Sequence, residues 1–349
     1  MNESIALTKK PIEISNRVID KSTTDFVLSE TLTRPRMSYL KIIRSSFKSQ
    51  TDAIQFLNSL RKTTIASLYF NNTDLNEDQV SCLCTSMREM GVRDLTICNA
   101  NLTTKSIQTL SHAMEEMYIL TAISLRNNQI DSSAANYISR AITNSSINYL
   151  DLSYNPLGIS IIQETFSQKI SLRSLILIRI DLTQQGIELL CELIQTHHIP
   201  IECLDVTLNY LTNVNCIAHL ITNPEIPLSI LNISRNPFPT ITPLIDNLKY
   251  SASLEFLNLR LIDSITDHDG LHILDQELNL TKLSTLQLHS MRLSPEIETR
   301  ITEKISRIQG PKTKTLVALL SSKQSRLGSK SLFARLFPRE LIRLIALYI

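Results

Sequence analysis

The chain has 349 residues, with 35 Lys and Arg against 33 Asp and Glu, so its formal net charge is +2. An apolar content of 43% is too high for a disordered protein. With only six glycines and no tryptophan, a glycine-rich phosphate loop or an indole-based pocket is not expected. The near-neutral total also argues against a nucleic-acid-binding protein.

The N-terminus and the cysteines indicate the cellular compartment of the protein. The first eleven residues lack the basic and apolar stretches of a secretory signal, and no apolar run approaches the roughly 20 residues needed to cross a bilayer. A chain of this size needs no disulfide staples, so we expect reduced thiols in a cytosolic setting. The six cysteines are Cys82, Cys84, Cys98, Cys191, Cys203 and Cys216.

Residues 1–64 precede any clear repeat and are predicted to form an N-terminal cap that is mainly helical. A strand is predicted at residues 25–28, and helical segments are predicted at residues 39–47 and 53–60. A cap is expected here because a single repeat cannot bury both of its faces.

An internal repeat then dominates the sequence. An eleven-residue frame, L-x-x-L-x-L-x-x-N-x-L with apolar substitutes, recurs nine times at spacings of 25 to 29 residues. This period lies in the range of leucine-rich repeats. The frames begin at Ile65, Val92, Leu120, Ile147, Leu172, Ile201, Leu228, Leu254 and Leu283.

Each frame predicts a short strand followed by a turn. Leu150 and Leu152 would point inward, whereas Asp151 and Ser153 would point outward. An asparagine at the ninth position could bond backbone groups along the turn, as a ladder. Asparagine occupies this position at Asn128, Asn155, Asn209 and Asn236, and the ladder should be interrupted at Thr73, Ala100, Ile180, Ile262 and Met291.

Between frames the apolar period lengthens to about 3.6 residues, which predicts helices. The apolar sets are Val80, Leu83, Cys84 and Met87, then Ile107, Leu110, Ser111 and Met114, and then Ile187, Leu190, Cys191 and Ile194. The segment Leu182-Thr-Gln-Gln-Gly-Ile-Glu-Leu-Leu190 has the pattern Leu-Thr-x-x-Gly-Ile-x-x-Leu at its entry into the helix, and it resembles the ribonuclease-inhibitor class of leucine-rich repeats. That resemblance implies an α/β solenoid of about nine repeats over residues 65–310, a horseshoe with parallel strands on its concave face and helices outside.

Residues 311–349 form a third, basic segment that is predicted to be helical. Residues 301–349 hold ten Lys and Arg against two Asp and Glu, a net charge of +8, which leaves −6 for residues 1–300. Leu341, Ile342, Ile345 and Tyr348 would form one amphipathic stripe. Residues 337–348 resemble the first helix of an F-box, and also the closing segment of leucine-rich-repeat effectors that Legionella-type bacteria export by type IV secretion.

Catalytic motifs are nearly absent, and we expect no enzyme, no cofactor and no metal site. His268 and His272 lie four residues apart, but Asp269 and Gly270 between them indicate a loop or the start of a helix. Cys84, Cys191 and Cys216 are expected to be structural thiols rather than nucleophiles. Since no cysteine follows Cys216, a C-terminal ubiquitin ligase with a catalytic cysteine is not expected either.

Binding is therefore the predicted activity, because outward side chains of the strands form columns across the repeats. Tyrosine and arginine are enriched at binding hot spots, and exposed isoleucines on a strand face favour an interface. The candidate surface comprises Arg126, Tyr149, Tyr154, Ile176, Ile178, Arg179, Tyr210, Arg235 and Arg260.

The sequence thus favours a monomeric, non-enzymatic protein-binding scaffold. The effector resemblance implies export from the bacterial cytoplasm to the host cytoplasm, where the protein would bind a host protein or another effector. The alternative is a ubiquitin-ligase substrate adaptor that uses the F-box-like terminal helix. A third, weaker possibility is contact of the basic tail with an acidic membrane surface, without insertion.

Overall fold

The computed structural model describes residues 12–33, 39–278 and 282–309. These residues belong to two compact units, the first ending at Pro156 and the second beginning at Leu157. In both units short parallel strands alternate with helices along the chain. The predicted C-terminal helix, with Leu341, Ile342, Ile345 and Tyr348, lies outside the described residues.

The first unit contains six parallel strands that pair in the order β1-β3-β5-β6-β7-β8. A separate two-stranded sheet joins β2 to β4. The strands are β1 Ile12–Ser15, β2 Val18–Ile19, β3 Tyr39–Ile43, β4 Ser46–Phe47, β5 Ser67–Asn71, β6 Asp94–Cys98, β7 Ala122–Ser124 and β8 Tyr149–Asp151. The α-helices are α1 Lys21–Thr33, α2 Gln50–Ser59, α3 Glu77–Met90, α4 Thr104–Glu115 and α5 Ala135–Thr143.

The second unit contains five parallel strands that pair in chain order. They are β9 Ser174–Ile176, β10 Cys203–Asp205, β11 Ile230–Asn232, β12 Phe256–Asn258 and β13 Thr285–Gln287. The helices are α6 Ser160–Thr165, α7 Gln184–Thr196, α8 Asn215–Thr222, α9 Thr242–Leu248, α10 Asp267–Asp275 and α11 Pro295–Gln309.

The inward strand residues form the core because alternate side chains of a strand point to opposite faces. Leu40 pairs in register with Leu68, and Leu68 with Leu95. Apolar side chains therefore stack from one strand–turn–helix repeat, called a coil below, to the next. In the second unit Leu175, Leu204 and Leu231 do the same. All of these leucines are at most 1% exposed.

The helices pack their predicted apolar faces against this core. The three apolar sets listed from the sequence lie on α3, α4 and α7, and all twelve of their residues are buried. Local signals set the ends: Asn76 and Gln79 form a capping box at the start of α3, and Gly91 follows its end in the left-handed conformation with φ 70°. The predicted helix positions are therefore confirmed.

Two of the three elements predicted within residues 1–64 are wrong. Residues 39–43 form strand β3 rather than a helix, because Leu40 and Ile42 alternate with outward side chains at a period of two. Residues 25–28 lie within α1 rather than in a strand. Only the segment at residues 53–60, which falls in α2 and a following 3₁₀ turn, is as predicted.

Two strand–helix coils thus precede the first predicted frame. Each of the nine frames contains a strand, and β1 and β3 bring the number of strands in the two parallel arrays to eleven. The α/β repeat architecture is confirmed, whereas the horseshoe curvature stays a prediction. Among the described residues, none of the helices combines the length and the apolar character that a membrane crossing requires.

Candidate binding surface

The turn after each strand has one fixed backbone conformation. Residues of a coil are numbered as in the eleven-residue frame. The eighth residue is in the left-handed conformation, with φ between 48° and 59°, in ten of the eleven coils. For an L-residue other than asparagine or aspartate this conformation costs about 1–2 kcal/mol. The ten residues are Asn16, Arg44, Asn72, Asn99, Asn127, Tyr154, Arg179, Leu208, Arg235 and Leu261.

Backbone hydrogen bonds join successive coils at this left-handed residue. The N–H of the eighth residue donates to the carbonyl of the seventh residue of the next coil, as from Arg179 to Thr207 at 3.0 Å and from Leu208 to Ser234 at 3.1 Å. Arg235 donates in the same way to the carbonyl of Arg260 at 3.1 Å. The turn side chains are therefore carried on a regular, bonded backbone.

The ninth residue fixes the same turn from inside. The Asn209 side-chain oxygen accepts the N–H groups of Ile180 and Leu182 at 3.1 and 3.0 Å, and its amide nitrogen donates to the carbonyls of Leu177 and Val206 at 2.8 and 3.0 Å. Asn128, Asn155 and Asn236 bond in the same pattern. The predicted asparagine ladder is confirmed within each unit.

Hydroxyl side chains bond at the turn in the coils of β3 and β13, which lack asparagine at the ninth position. In the coil of β3, Ser45 accepts the N–H of Arg17 at 3.3 Å and donates to the carbonyl of Ile43 at 3.0 Å. In the last coil Ser290, one residue before the predicted position, donates to the carbonyl of Ile265 at 2.9 Å. Met291, at the predicted position, is instead 95% exposed.

Three residues of the predicted binding surface are not exposed. Ile176 and Ile178 are 0% and 4% exposed, and Tyr149 is 4% exposed, so the argument from an exposed apolar pair is wrong. Neighbouring strands enclose these short columns: Ile176 pairs in register with Asp205, and Tyr149 with Ala122, both of which are buried as well.

Polar members of these columns bond along the sheet rather than outward. One oxygen of the Asp205 carboxylate accepts the N–H of Thr207 and the other accepts the amide of Asn232, both at 2.9 Å. In the first unit Asp151 accepts the Ser153 N–H at 3.0 Å and the Ser124 hydroxyl at 2.9 Å. These buried groups are structural, since hydrogen bonds satisfy them within the fold.

In the first unit cations lie over aromatic rings. The Arg126 guanidinium lies 4.4 Å from the centre of the Tyr154 ring, and its Nη1 atom is buried without a hydrogen-bond partner among the described residues. The Lys41 ammonium lies 5.5 and 5.8 Å from the rings of Tyr39 and Tyr69. Burial raises the pKa of Tyr69 above its usual value, which keeps its hydroxyl protonated.

Lys41, Tyr39 and Tyr69 were absent from the predicted surface. Tyr39 and Lys41 lie within the segment at residues 39–47 that the sequence predicts as helix. A period of two from Tyr39 to Ile43 was the signal that could have identified them.

In the second unit the exposed members of the predicted surface lie at the turns. Arg179 and Arg235 occupy the left-handed eighth position, and Arg260 occupies the seventh position of the next coil beside Arg235. Tyr210, two residues after Leu208, is 63% exposed. The structure thus places three arginines and one tyrosine where a partner could contact them.

A groove between β13 and α11 was not predicted. It has a volume of about 300 Å³, with Leu286, Leu288, Ile301 and Ile305 on its apolar side and Arg260 at its polar side. His289 and Glu298 also line it, with Nδ1 of the histidine 3.7 Å from a carboxylate oxygen of the glutamate.

The residues considered for chemistry differ in their surroundings. The Cys84 thiol is buried, and this raises its pKa to about 12, which makes it a poor nucleophile. His272 lies 3.1 Å from a carboxylate oxygen of Asp246, and His268 is exposed on the same helix. All six cysteines are free thiols. Within residues 12–33, 39–278 and 282–309, no three His, Cys, Asp or Glu side chains cluster as metal ligands.

The fold and this surface define a class of protein built from strand–turn–helix repeats. Neither a family model nor a curated protein matches the chain. The resemblance to ribonuclease-inhibitor repeats and to type IV effectors therefore stays a prediction from the sequence.

Proposed function

We propose that this protein is a non-enzymatic scaffold that binds another protein through the turn side chains of its repeats. The observation that supports this function is the exposure of Arg179, Arg235 and Arg260 with Tyr210 on adjacent coils of one unit. Arginine and tyrosine combine apolar area with directed hydrogen bonds, which is why they are enriched among binding hot spots.

The ladder below these side chains favours binding over general surface polarity. Because the Asn209 and Asn236 side chains fix the turns from inside, the exposed side chains project from a rigid backbone and little conformational entropy is lost when a partner docks. In the first unit, the Arg126 and Tyr154 pair is similarly held in place by its ring contact.

A capture experiment tests the function. The full chain is immobilised on a resin and incubated with a eukaryotic lysate. We expect it to retain a partner that mass spectrometry identifies. Binding of that purified partner should weaken by about tenfold or more in the double variant Arg179→Glu, Tyr210→Ala. Arg300→Glu, at an exposed position of α11, is the charge-matched control. Unchanged affinity in the double variant would remove these turns from the binding surface.

The proposal extends to an exported bacterial effector that binds a host protein or another effector. This part rests on the sequence resemblance of residues 337–348, which lie outside the described residues. A reporter fused to the chain should reach the host cytoplasm only when the type IV system is intact. The adaptor alternative rests on the same residues, and no contact in the described ranges favours it.

A further inference from the structure

Four eighth-position residues of the second unit form a row. Arg179, Leu208, Arg235 and Leu261 follow one another on successive paired strands, and their φ angles lie between 50° and 56°. Each donates its N–H to the next coil in the same way. Since the backbone repeats, the four side chains leave it in the same direction, and arginine alternates with leucine along the row.

The residues in this row are poor choices for the backbone they occupy. The first unit places asparagine at the same left-handed position in four of its six coils, namely Asn16, Asn72, Asn99 and Asn127. Asparagine tolerates this conformation, whereas arginine and leucine are strained in it. The fold therefore does not require Arg or Leu here, and strain of this kind is typical of functional surfaces.

The row is accessible and positively charged. Arg179 and Arg235 are exposed, Leu261 is 38% exposed and Leu208 is half-buried. Arg260 adds a third positive charge beside Arg235. None of the ion pairs found among the described residues includes Arg235 or Arg260. Two exposed acidic residues lie near the ends of the row: Asp181 is two residues after Arg179, and Asp263 is two residues after Leu261.

The spacing of the row matches one kind of partner. Neighbouring strands lie about 4.8 Å apart, and one turn of an α-helix rises about 5.4 Å. A helix that lies across the strands would thus present about one turn to each coil. To complement the row, the contacting face of that helix must alternate acidic and apolar side chains, at positions i, i+4, i+7 and i+11.

We propose that the row Arg179, Leu208, Arg235 and Leu261 is the docking site for an acidic amphipathic helix of the partner protein. The arginines bind its carboxylates and the leucines contact the apolar residues between them. This inference rests on the proposed function and adds the chemistry of the partner.

A synthetic helical peptide provides the probe. It carries Glu at i and i+7 and Leu at i+4 and i+11 on an alanine-rich background, and its binding to the full chain is measured by fluorescence anisotropy. We expect saturable binding that weakens with added salt. Arg179→Glu with Arg235→Glu should lower the affinity by about tenfold or more, and Arg300→Glu should leave it unchanged.

The leucines separate a binding role from a structural one. Leu208→Asn and Leu261→Asn relieve the backbone strain, so each should raise the urea midpoint of unfolding. If the row binds the helix, both variants should also weaken peptide binding several-fold, because the apolar contact is lost. A gain in stability with unchanged peptide affinity would overturn the proposal.

Two peptide controls and the captured partner complete the test. A peptide with Lys in place of Glu should not bind, and equal binding of an all-Glu peptide without Leu would overturn the amphipathic assignment. If a captured partner binds through Arg179 and Tyr210 but the peptide does not bind, this inference fails while the proposed function stands. If neither binds, the proposed function fails as well.

Discussion

A single buried asparagine bonds backbone groups of two coils at once. Asn128 is 1% exposed; its side-chain oxygen accepts the N–H of Ala100 at 2.9 Å and its nitrogen donates to the carbonyl of Ile97 at 2.7 Å. Its own N–H donates to the Asn155 side chain at 2.9 Å. An ionised aspartate of the same size would lack the donor, and a leucine would lack both groups.

Removal of this amide should therefore be costly. We expect Asn128→Ala to lower the free energy of unfolding by about 2–4 kcal/mol, because the Ala100 N–H and the Ile97 carbonyl stay buried without a partner. Urea unfolding followed by circular dichroism measures the change. Asn144→Ala, at an exposed helix end in the same unit, should change it by less than about 0.5 kcal/mol. Equal effects of the two substitutions would refute the ladder's role.

An aspartate at the start of α1 makes a titratable cap. One Asp20 oxygen accepts the Ser22 hydroxyl at 2.7 Å and the Thr23 N–H at 3.0 Å. These hydrogen bonds, with that of Ser22 the largest contribution, lower the pKa of Asp20 from 3.8 to about 2. Because the folded-state pKa is depressed, the ionised cap stabilises the fold above the unfolded pKa, and this contribution is lost as the pH falls through about 2.

Carbon-detected NMR can test this cap directly. The Asp20 carboxyl carbon should titrate with a midpoint of about 2 in the folded protein. Ser22→Ala should move that midpoint upward, since it removes the strongest hydrogen bond to the ionised form. A midpoint that stays at the same pH in the variant would show that the Ser22 bond does not form in solution.

At the scale of elements, close packing of two helices explains one of the six glycines. A β-carbon built on Gly270 of α10 would lie 2.4 Å from Cγ2 of Ile297 and 2.9 Å from Cδ1 of Leu293. Alanine usually stabilises a helix interior by about 0.5–1 kcal/mol relative to glycine. Overpacking costs about 1–3 kcal/mol, and Cγ2 of a β-branched side chain has little freedom to move. The overpacking is thus the larger effect.

Gly270→Ala should accordingly destabilise the chain by about 1–2 kcal/mol in urea unfolding. His268→Ala, at an exposed position of the same helix, is the control and should be nearly neutral. In the Gly270→Ala background, Ile297→Ala should cost less than it does alone, because the two changes share one space. Additive effects would indicate that α10 and α11 do not pack as closely as described.

The strands and helices of the nine frames could be predicted because the repeat places Leu, Ile and Asn at fixed offsets, and each offset has one physical role. The coils of β1 and β3 follow the same offsets but were missed. Ile12 and Ile14, like Leu40 and Ile42, supply the two inward residues, and Ile19 and Phe47 supply the apolar eleventh residue, while the ninth positions hold Arg17 and Ser45. The ninth position does not exclude the β3 coil, because Thr73 and Ala100 occupy it in frames that the sequence identifies; the prediction of a helix over residues 39–47 does.

The candidate surface was harder to predict than the fold. Alternation correctly separates inward from outward residues, but exposure depends on neighbours: Ile176 points outward and is still buried. The decisive feature, a left-handed eighth position, is visible in the sequence only as asparagine in some frames. Where Tyr154, Arg179 or Leu208 occupies it, only the backbone geometry reveals the shared role.

At the scale of the whole molecule, charge is divided between two regions. Residues 1–300 carry a net charge of −6, and residues 301–349 carry a net charge of +8. The proposed docking row is basic although it lies within the acidic residues 1–300. A partner selected by Arg179, Arg235 and Arg260 would therefore be recognised by the second unit without the basic tail. The tail and the row are expected to act independently.

Deletion of residues 332–349 tests this independence and separates the functional alternatives. The change removes three arginines and one glutamate, so the net charge falls from +2 to 0. If the segment is an export signal, the truncated chain should keep the affinity of the full chain for its captured partner and lose translocation of a fused reporter. If the segment is an F-box-like helix, the truncated chain should fail to retain ubiquitin-ligase subunits that the full chain retains from the same lysate. Loss of partner affinity after truncation would contradict a binding surface confined to the turns, because the row lies entirely between residues 179 and 261.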